Sequence, residues 1–198
     1  MMPASLGATA MRPAFVVALA TLVLVPLAGC DRAKDKTVTT ASAEPALATL
    51  TAAIGGAAGL STTAAALKST GLSTVFEGAA PYTVLAPEDD AFGALGETGT
   101  MLKAPENGAA MAAVLKAHIL PGYLTVADID AALKAAQGKP VTMTTMTGSA
   151  VSFARTGEGV TVTAADGSRA KISGVALTAG NGVVIPIDAV LKKIPATT

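Results

Sequence analysis

The sequence is poor in the residue types that most often build reactive or metal-binding sites. Its 198 residues include one Cys, one His and no Trp, and aromatic residues make up 3% of the chain. A single cysteine excludes an internal disulfide framework, and one histidine with one cysteine does not supply the usual ligand set of a zinc site. We therefore expect no metal and no cofactor, and we expect core packing to stabilise the fold.

Charge is also scarce, and it is balanced. Charged residues make up 14% of the chain, and the 14 basic residues equal the 14 acidic ones in number, for a formal net charge of +0. A nucleic-acid-binding protein normally carries a basic excess on one face, so we expect no nucleic-acid partner. The hydrophobic fraction of 51% is too high for a disordered chain.

Residues 1–29 predict an export signal. Arg12 is followed by an uncharged, apolar run over residues 13–27, and small residues come next. This order of positive charge, short apolar segment and small residues is typical of a secretory signal peptide. The sequence leaves the start of translation open among its early methionines: Met1, Met2 and Met11.

The Leu-Ala-Gly-Cys string that ends at Cys30 resembles the bacterial lipoprotein signal, in which the cysteine is acylated and becomes the N-terminus. Cys30 has no disulfide partner, and the charged residues within 31–36 disfavour a buried free thiol. We predict that Cys30 is the lipidation site and that the membrane is a partner through this N-terminal lipid. The expected localisation is exported and lipid-anchored to the bacterial cell envelope, with the choice of inner or outer membrane left open.

The rest of the chain divides into a tether and one domain. Residues 30–44 are polar and rich in Thr, Ser, Ala and Lys, which predicts a flexible tether. Residues 45–198 are predicted to form a single domain. Its first part, residues 45–136, is Ala-rich with apolar residues at helical spacing, and one short strand at residues 82–85 interrupts it. Phe92 is predicted to be buried in the core.

The second part of the domain predicts β-structure. Val/Thr-rich segments alternate with Gly-containing turns, which is the pattern of antiparallel hairpins. The segments are residues 141–146, 150–155, 160–164, 170–177 and 183–187. We predict an antiparallel meander here and not the alternating β-α-β units of a parallel dinucleotide-binding sheet.

Motifs that carry catalytic chemistry are absent from the sequence. It has neither a phosphate-binding Gly-rich loop nor a G-x-S-x-G nucleophile motif, and we predict no catalytic residue. Asp89 and Asp90 precede a predicted helix and are interpreted as helix caps rather than metal ligands. Asp128 and Asp130 are interpreted as solvent-facing residues at another helix start, with acid-base work on envelope glycans as the alternative.

Three motifs resemble the signatures of the fasciclin domain family. They are YTVLAPEDDAF at residues 82–92, KAHILPG at residues 116–122 and NGVVIPIDAVL at residues 181–191. Their order and spacing match the family, and the resemblance extends over residues 45–195. It implies an α+β fold with a wedge of two β-sheets, flanked by an N-terminal helical layer and used in adhesion.

The resemblance also nominates a binding surface. In relatives, the neighbourhood of a Tyr-His pair has been linked to receptor binding, and this implies candidate partner-binding residues at the matching positions: His118, Ile119, Leu120, Pro121 and Gly122. The alternative is structural, because His118 ends a predicted helix before a Pro-Gly turn, where it can cap carbonyls or hydrogen-bond into the core. The sequence departs from the family at Ala117, where relatives often have Tyr, and at Ile185-Pro186, where they have His-Val.

These features favour a lipid-anchored, non-catalytic extracytoplasmic module for adhesion, with an envelope protein or polysaccharide as its partner. The alternative is a carrier of a small apolar ligand, which would require a roomy apolar pocket.

Overall fold

The computed structural model describes residues 48–193, in which helices come before most of the strands. The helices are α1 (Leu50–Gly56), α2 (Ser61–Ser69), α3 (Asp89–Gly93), α4 (Glu97–Lys103), α5 (Gly108–Lys116) and α6 (Val126–Ala135), with 3-10 helices at Leu72–Glu77 and Pro105–Asn107. The strands are β1 (Tyr82–Pro87), β2 (Ile119–Pro121), β3 (Val141–Thr144), β4 (Ala150–Thr156), β5 (Gly159–Ala164), β6 (Arg169–Lys171), β7 (Leu177–Ala179) and β8 (Gly182–Ile187). The predicted signal peptide at residues 1–29 and tether at residues 30–44 lie outside the described residues.

The strands form two four-stranded sheets. Sheet 1 has the order β2-β1-β8-β7, and sheet 2 has the order β3-β4-β5-β6. The predicted α+β fold class is therefore confirmed, with the helices of the N-terminal half accompanying two sheets.

Sheet 1 is buried on both of its faces. Successive side chains of a strand point to opposite faces, and along β1 they enter two different clusters. Val84 joins a core that the helices share, and Leu85 joins a core shared with sheet 2 and α6. The same alternation continues in β8 at Val184 and Ile185, which are both fully buried. Two buried faces explain why β8 is almost continuously apolar.

The pairing of β1 with β8 differs from the predicted antiparallel meander, in which residues 183–187 form the last strand. Residues Tyr82 to Pro87 of β1 lie parallel to Gly182 to Ile187 of β8, at the centre of sheet 1. Because these strands lie almost a whole domain apart in sequence, neither local spacing nor turn residues indicate that they pair. The other strand pairs are antiparallel.

The predicted hairpins are confirmed in sheet 2, and one predicted strand is wrong. Strands β3, β4, β5 and β6 form an antiparallel meander through three turns. The predicted strand over residues 170–177, however, divides between the two sheets. Strand β6 ends at Lys171 in sheet 2, and Leu177 begins β7 in sheet 1.

Pro186 occupies a position of β8 where a backbone amide is not needed. The carbonyls of Asn181 and Ile187 point toward β1 and accept hydrogen bonds from an amide of β1 and from the amide of the residue after it. The carbonyl of Pro186 points to the other edge of β8 and accepts the Ser173 amide. Pairing with β7 ends at Val184. The missing amide of Pro186 therefore lies beyond the end of β7, although β8 is an interior strand.

Candidate functional site

Helix α5 places His118 inside the domain. The helix buries Met111, Val114 and Leu115 against the core. Ala117 caps its C-terminal end, and His118 is the next residue. The chain turns directly into β2, and the imidazole of His118 lies between the end of the helix and the segment after β8. Its exposed fraction is 0%.

Both ring nitrogens of His118 have hydrogen-bond partners. Nδ1 lies 2.8 Å from the carbonyl oxygen of Val114, and Nε2 accepts the backbone amide of Leu191 at 2.8 Å. An Nε2 atom that accepts has no proton, so the neutral ring carries its proton on Nδ1 and donates it to Val114. This geometry agrees with the structural interpretation of His118, in which the side chain caps a helix carbonyl and also hydrogen-bonds into the core.

The surroundings of His118 favour the neutral ring. Burial is the largest influence and lowers its pKa from 6.5 to about 4, although the hydrogen bond to Val114 and the charge of Asp166 act in the opposite direction. A buried imidazole without contact to solvent has no access to a substrate proton. It can instead hold the segment that carries Leu191 against the end of α5.

The five candidate partner-binding residues do not share one surface. His118, Ile119 and Leu120 each have an exposed fraction of 0%, and the last two point to opposite faces of sheet 1. Pro121 is exposed, and Gly122 is half-buried with a φ of 105°. Direct contact with a partner is therefore available only at Pro121 and Gly122, and the binding role of the set stays a prediction.

The segment after β8 is held by side chains from two other parts of the fold. The amide of Leu191 donates to His118, and the amide of Lys193 donates to Asp166 Oδ2 at 2.8 Å. Burial raises the pKa of Asp166, but hydrogen bonds from Ser168 and Lys193 and the charge of Lys192 outweigh it and hold that pKa below its usual range. Asp166 is therefore ionised near neutral pH.

A cavity of about 200 Å³ lies beside Ala117. Four parts of the fold meet there: the end of α5, the β3–β4 turn, the β5–β6 turn and the segment after β8. The residues that line it are Ala113, Ala117, Thr145, Thr147, Ser149, Ala150, Val151, Ala164, Ala165, Asp166, Leu191 and Lys192. We call this space the Ala117 cavity. Sequence reasoning did not predict it, although the departure from the family at Ala117 marks its position.

A second concavity of about 470 Å³ lies between α2 and α5. Small residues of α2 form one wall, and buried Leu102 and Met111 form its apolar floor. Lys103 and Pro105 are exposed at its rim. We call it the helical groove.

Asp89 caps a helix that lies far from it in sequence. Its carboxylate accepts the amides of Ser61 and Thr62, at the first turn of α2, and the hydroxyl of Ser61 at 2.8 Å. Burial raises the pKa of Asp89. The hydrogen bonds, of which those from Thr62 have the larger effect, outweigh burial and hold this pKa below its usual value. Asp89 is therefore a helix cap, but of α2 and not of the helix that follows it. The cap predicted at the start of α3 is wrong for Asp89 and Asp90, since α3 has no side-chain cap.

Asp128 and Asp130 have structural partners. Thr125 and Asp128 form a capping box at the start of α6, and the hydrogen bonds from the Thr125 side chain and amide lower the pKa of Asp128. Asp130 forms an ion pair with Arg155 of β4 at 2.5 Å, with both side chains partly exposed. The two carboxylates therefore serve a helix start and a helix–sheet contact.

Among residues 48–193, no group of three or more His, Cys, Asp or Glu side chains is arranged to hold a metal ion. The helices of the same region are too short or too polar to cross a membrane. Each buried side-chain nitrogen or oxygen in it has a hydrogen-bond partner. The described region is thus a two-sheet α+β domain whose internal polar groups serve the fold.

Comparison with known proteins identifies the family. The model of the Fasciclin domain family matches residues 58–193, so the chain belongs to the fasciclin domain family. Domains of this family are commonly non-catalytic adhesion modules, and they are typically extracellular or exported. The resemblance drawn from the three sequence motifs is confirmed.

Two relatives illustrate this similarity. The chain is 29% identical over 173 residues to Protein sll1483 of Synechocystis sp., a match that covers 84% of this chain and 86% of that protein. It also matches the solved structure of a FAS1 domain pair from the insect cell adhesion molecule Fasciclin I, with a TM-score of 0.52 and 18% identity. That match covers 67% of this chain and 45% of the insect chain, and it supports the fold alone.

Proposed function

We propose that this protein is a lipid-anchored, non-catalytic adhesion module that holds a fasciclin domain beside the bacterial cell envelope. The observation that carries the proposal is the single cysteine, Cys30, which stands directly after a signal-like segment and ahead of a polar tether. Membership of an adhesion-type family supports the role of the domain itself. A diacylated cysteine with a further acyl chain gives stable anchoring, since each buried methylene contributes about 0.8 kcal/mol.

The anchor is tested by intact-mass measurement of protein extracted from membranes. We expect the N-terminal peptide to begin at Cys30 and to carry acyl mass, and we expect a Cys30→Ala variant produced without residues 1–29 to appear in the soluble fraction. A wild-type protein that is soluble and has a free Cys30 thiol would contradict the anchor. The adhesive role of the domain would be unaffected by that result.

The proposed partner is an envelope protein or polysaccharide. Pro121 and Gly122 supply the accessible part of the candidate binding residues, next to the end of α5. This exposed turn has a fixed position, because the Gly122 amide donates to the carbonyl of Pro81 and the Gly122 carbonyl accepts from the Thr83 hydroxyl.

Binding is tested with the soluble Cys30→Ala form on isolated envelope fractions. We expect Pro121→Glu to reduce the retained protein by about tenfold, since a charge would be forced against the partner. Pro140→Glu is the matched control, because Pro140 is also an exposed proline but lies just before β3. Equal retention of the two variants would show that residues 121–122 do not belong to the binding surface.

A carrier of a small apolar ligand is the second candidate, and the helical groove favours it. The groove has a volume of about 470 Å³, within the range of about 300–1,000 Å³ typical of small-ligand sites, and buried Leu102 and Met111 form its floor. Organic extraction of protein purified from its native envelope should recover such a ligand. An extract with no bound compound would rule the carrier role out.

A further inference from the structure

We propose that the Ala117 cavity binds one neutral monosaccharide unit of an envelope polysaccharide. This inference rests on the proposed function, of which it specifies the polysaccharide as the partner. It concerns a site apart from Pro121 and Gly122, since neither residue lines the cavity.

The size of the cavity suits a single sugar ring. Its volume is about 200 Å³, whereas sites for drug-sized ligands measure about 300–1,000 Å³. The space exists because the side chains at its helical wall are small, with Ala113 and Ala117 one turn apart on α5. A large side chain at either position would occupy it.

The charges at the rim favour a neutral ligand. Asp166 is ionised, and its Oδ2, which accepts the Lys193 amide, has a second lone pair for a ligand, whereas Oδ1 already accepts two bonds from Ser168. Lys192 supplies an ammonium group that makes no ion pair within the described residues. The two opposite charges leave the rim without net charge, so it favours neither an anion nor a cation over a neutral ligand. A sugar hydroxyl can donate to the first group and accept from the second.

Hydroxyl groups and methyl groups complete the lining. The side chain of Ser149 makes no hydrogen bond to the rest of residues 48–193 and is exposed at the rim, so it can bond a ligand. The methyl groups of Ala113, Ala117 and Ala150 provide an apolar wall for the C–H face of a pyranose ring. Alternating hydroxyl and C–H faces are the chemistry that distinguishes a sugar from an apolar ligand.

The walls are fixed by hydrogen bonds before any ligand arrives. The hydroxyl of buried Thr145 bonds that of Thr147 at 2.8 Å, and the Met146 amide donates to the carbonyl of Ile119 at 2.7 Å, which holds the β3–β4 turn against β2. On the other side, His118 and Asp166 hold the segment that carries Lys192. A preformed site loses less entropy on binding than a mobile one.

The site is tested by amide-resolved NMR titration of the Cys30→Ala protein with the methyl glycosides of glucose, galactose and N-acetylglucosamine. At least one of them should shift the amide resonances of Ala117, Ser149 and Asp166, with a dissociation constant of about 1 mM. Absence of shifts at these amides with about 50 mM of each glycoside would overturn the proposal, as would shifts confined to the helical groove.

Two variants of lining residues and one control show whether the glycoside binds in the cavity. Ala113→Gln places a longer side chain in the cavity, and we expect it to weaken glycoside binding by about tenfold. Ala110→Gln is the control, because Ala110 is exposed on the same helix and does not line the cavity. Ser149→Ala, which removes a hydroxyl without adding volume, should also weaken binding. Unchanged binding in both Ala113→Gln and Ser149→Ala would overturn the proposal.

Retention on purified envelope polysaccharide separates this inference from the proposed function. Competition between a binding methyl glycoside and the polymer identifies the polymer as the source of the sugar, and glycoside binding without polymer retention identifies a free sugar. If Ala113→Gln and the wild type adhere equally to whole envelopes while neither binds glycosides, the cavity proposal fails and the adhesion proposal stands. If whole envelopes do not retain the wild type, the adhesion proposal is contradicted instead.

Discussion

His118 Nε2 accepts a hydrogen bond from the backbone amide of Leu191, which lies 73 residues further along the chain. The bond joins the end of α5 to the segment that follows the last strand, and both partners are buried. Because a protonated ring has no acceptor at Nε2, this connection depends on the neutral state of His118. The histidine motif of the sequence is thus part of the tertiary framework.

The first prediction concerns the pH dependence of stability. The folded pKa of His118 is about 4 and its unfolded value is 6.5, so in this window the unfolded chain binds a proton that the folded chain does not. The stabilisation is fully present above about pH 6.5 and is lost as the pH falls toward 4. Between about pH 7 and pH 5, the free energy of unfolding in urea should fall by roughly 2 kcal/mol.

His118→Gln serves as the control for this pH effect, since its side chain does not titrate. Carboxylates such as Asp166, with lowered pKa values, act at lower pH and do not contribute in the window from pH 7 to 5. The pH slope should therefore be much smaller in the variant. The same slope in both proteins would assign the effect to other groups.

The second prediction concerns Phe92, whose predicted burial is confirmed by an exposed fraction of 1%. Phe92→Ala should lower the free energy of unfolding by roughly 3–5 kcal/mol, because it leaves a cavity in the core beneath the helices. Val175→Ala is the comparison, since Val175 is 83% exposed. It should change stability by less than about 0.5 kcal/mol. Chemical denaturation of both variants measures the difference, and a loss below about 1 kcal/mol for Phe92→Ala would be inconsistent with its position.

The third prediction concerns the cap that Asp89 provides for α2. Asp89→Ala should cost about 1 kcal/mol, because the amides of Ser61 and Thr62 lose their acceptor. Asp90→Ala is the matched control, since Asp90 is exposed and its side chain makes no hydrogen bond within residues 48–193. Thermal unfolding of the two variants should place Asp89→Ala clearly below Asp90→Ala. Equal midpoints would mean that the cap contributes no net stability.

The fourth prediction concerns the close approach of the backbone at Gly182. A Cβ atom there would overlap the carbonyl oxygen of Tyr82 and the side chain of Leu50, in the region where β8 pairs with β1. Gly182→Ala should therefore destabilise the domain by roughly 3 kcal/mol. In Gly93→Ala, the new Cβ has no atom within 4 Å, and stability should change by less than about 1 kcal/mol. Similar stability of the two variants in urea would contradict this packing.

The family and much of the local structure were predictable from the sequence. The Thr125–Asp128 spacing indicated the start of α6, and Gly-containing turns indicated the sheet 2 hairpins, since both depend on residues within a few positions of each other. The strand predicted over residues 170–177 was wrong because β-propensity does not show that the chain leaves one sheet and enters the other. The partner of Asp89 was equally hidden, since the helix that it caps lies 28 residues earlier.

The apolar residues of the core, the local helices and hairpins, the family and the candidate lipidation at Cys30 could be inferred from the sequence, because each depends on neighbouring residues or on the order of motifs. The parallel pairing of β1 with β8, the burial of His118 against Leu191 and the cavity beside Ala117 became visible only in the folded domain. These features join residues distant along the chain. Their free energy comes from burial and hydrogen bonds that form only when the whole domain is assembled.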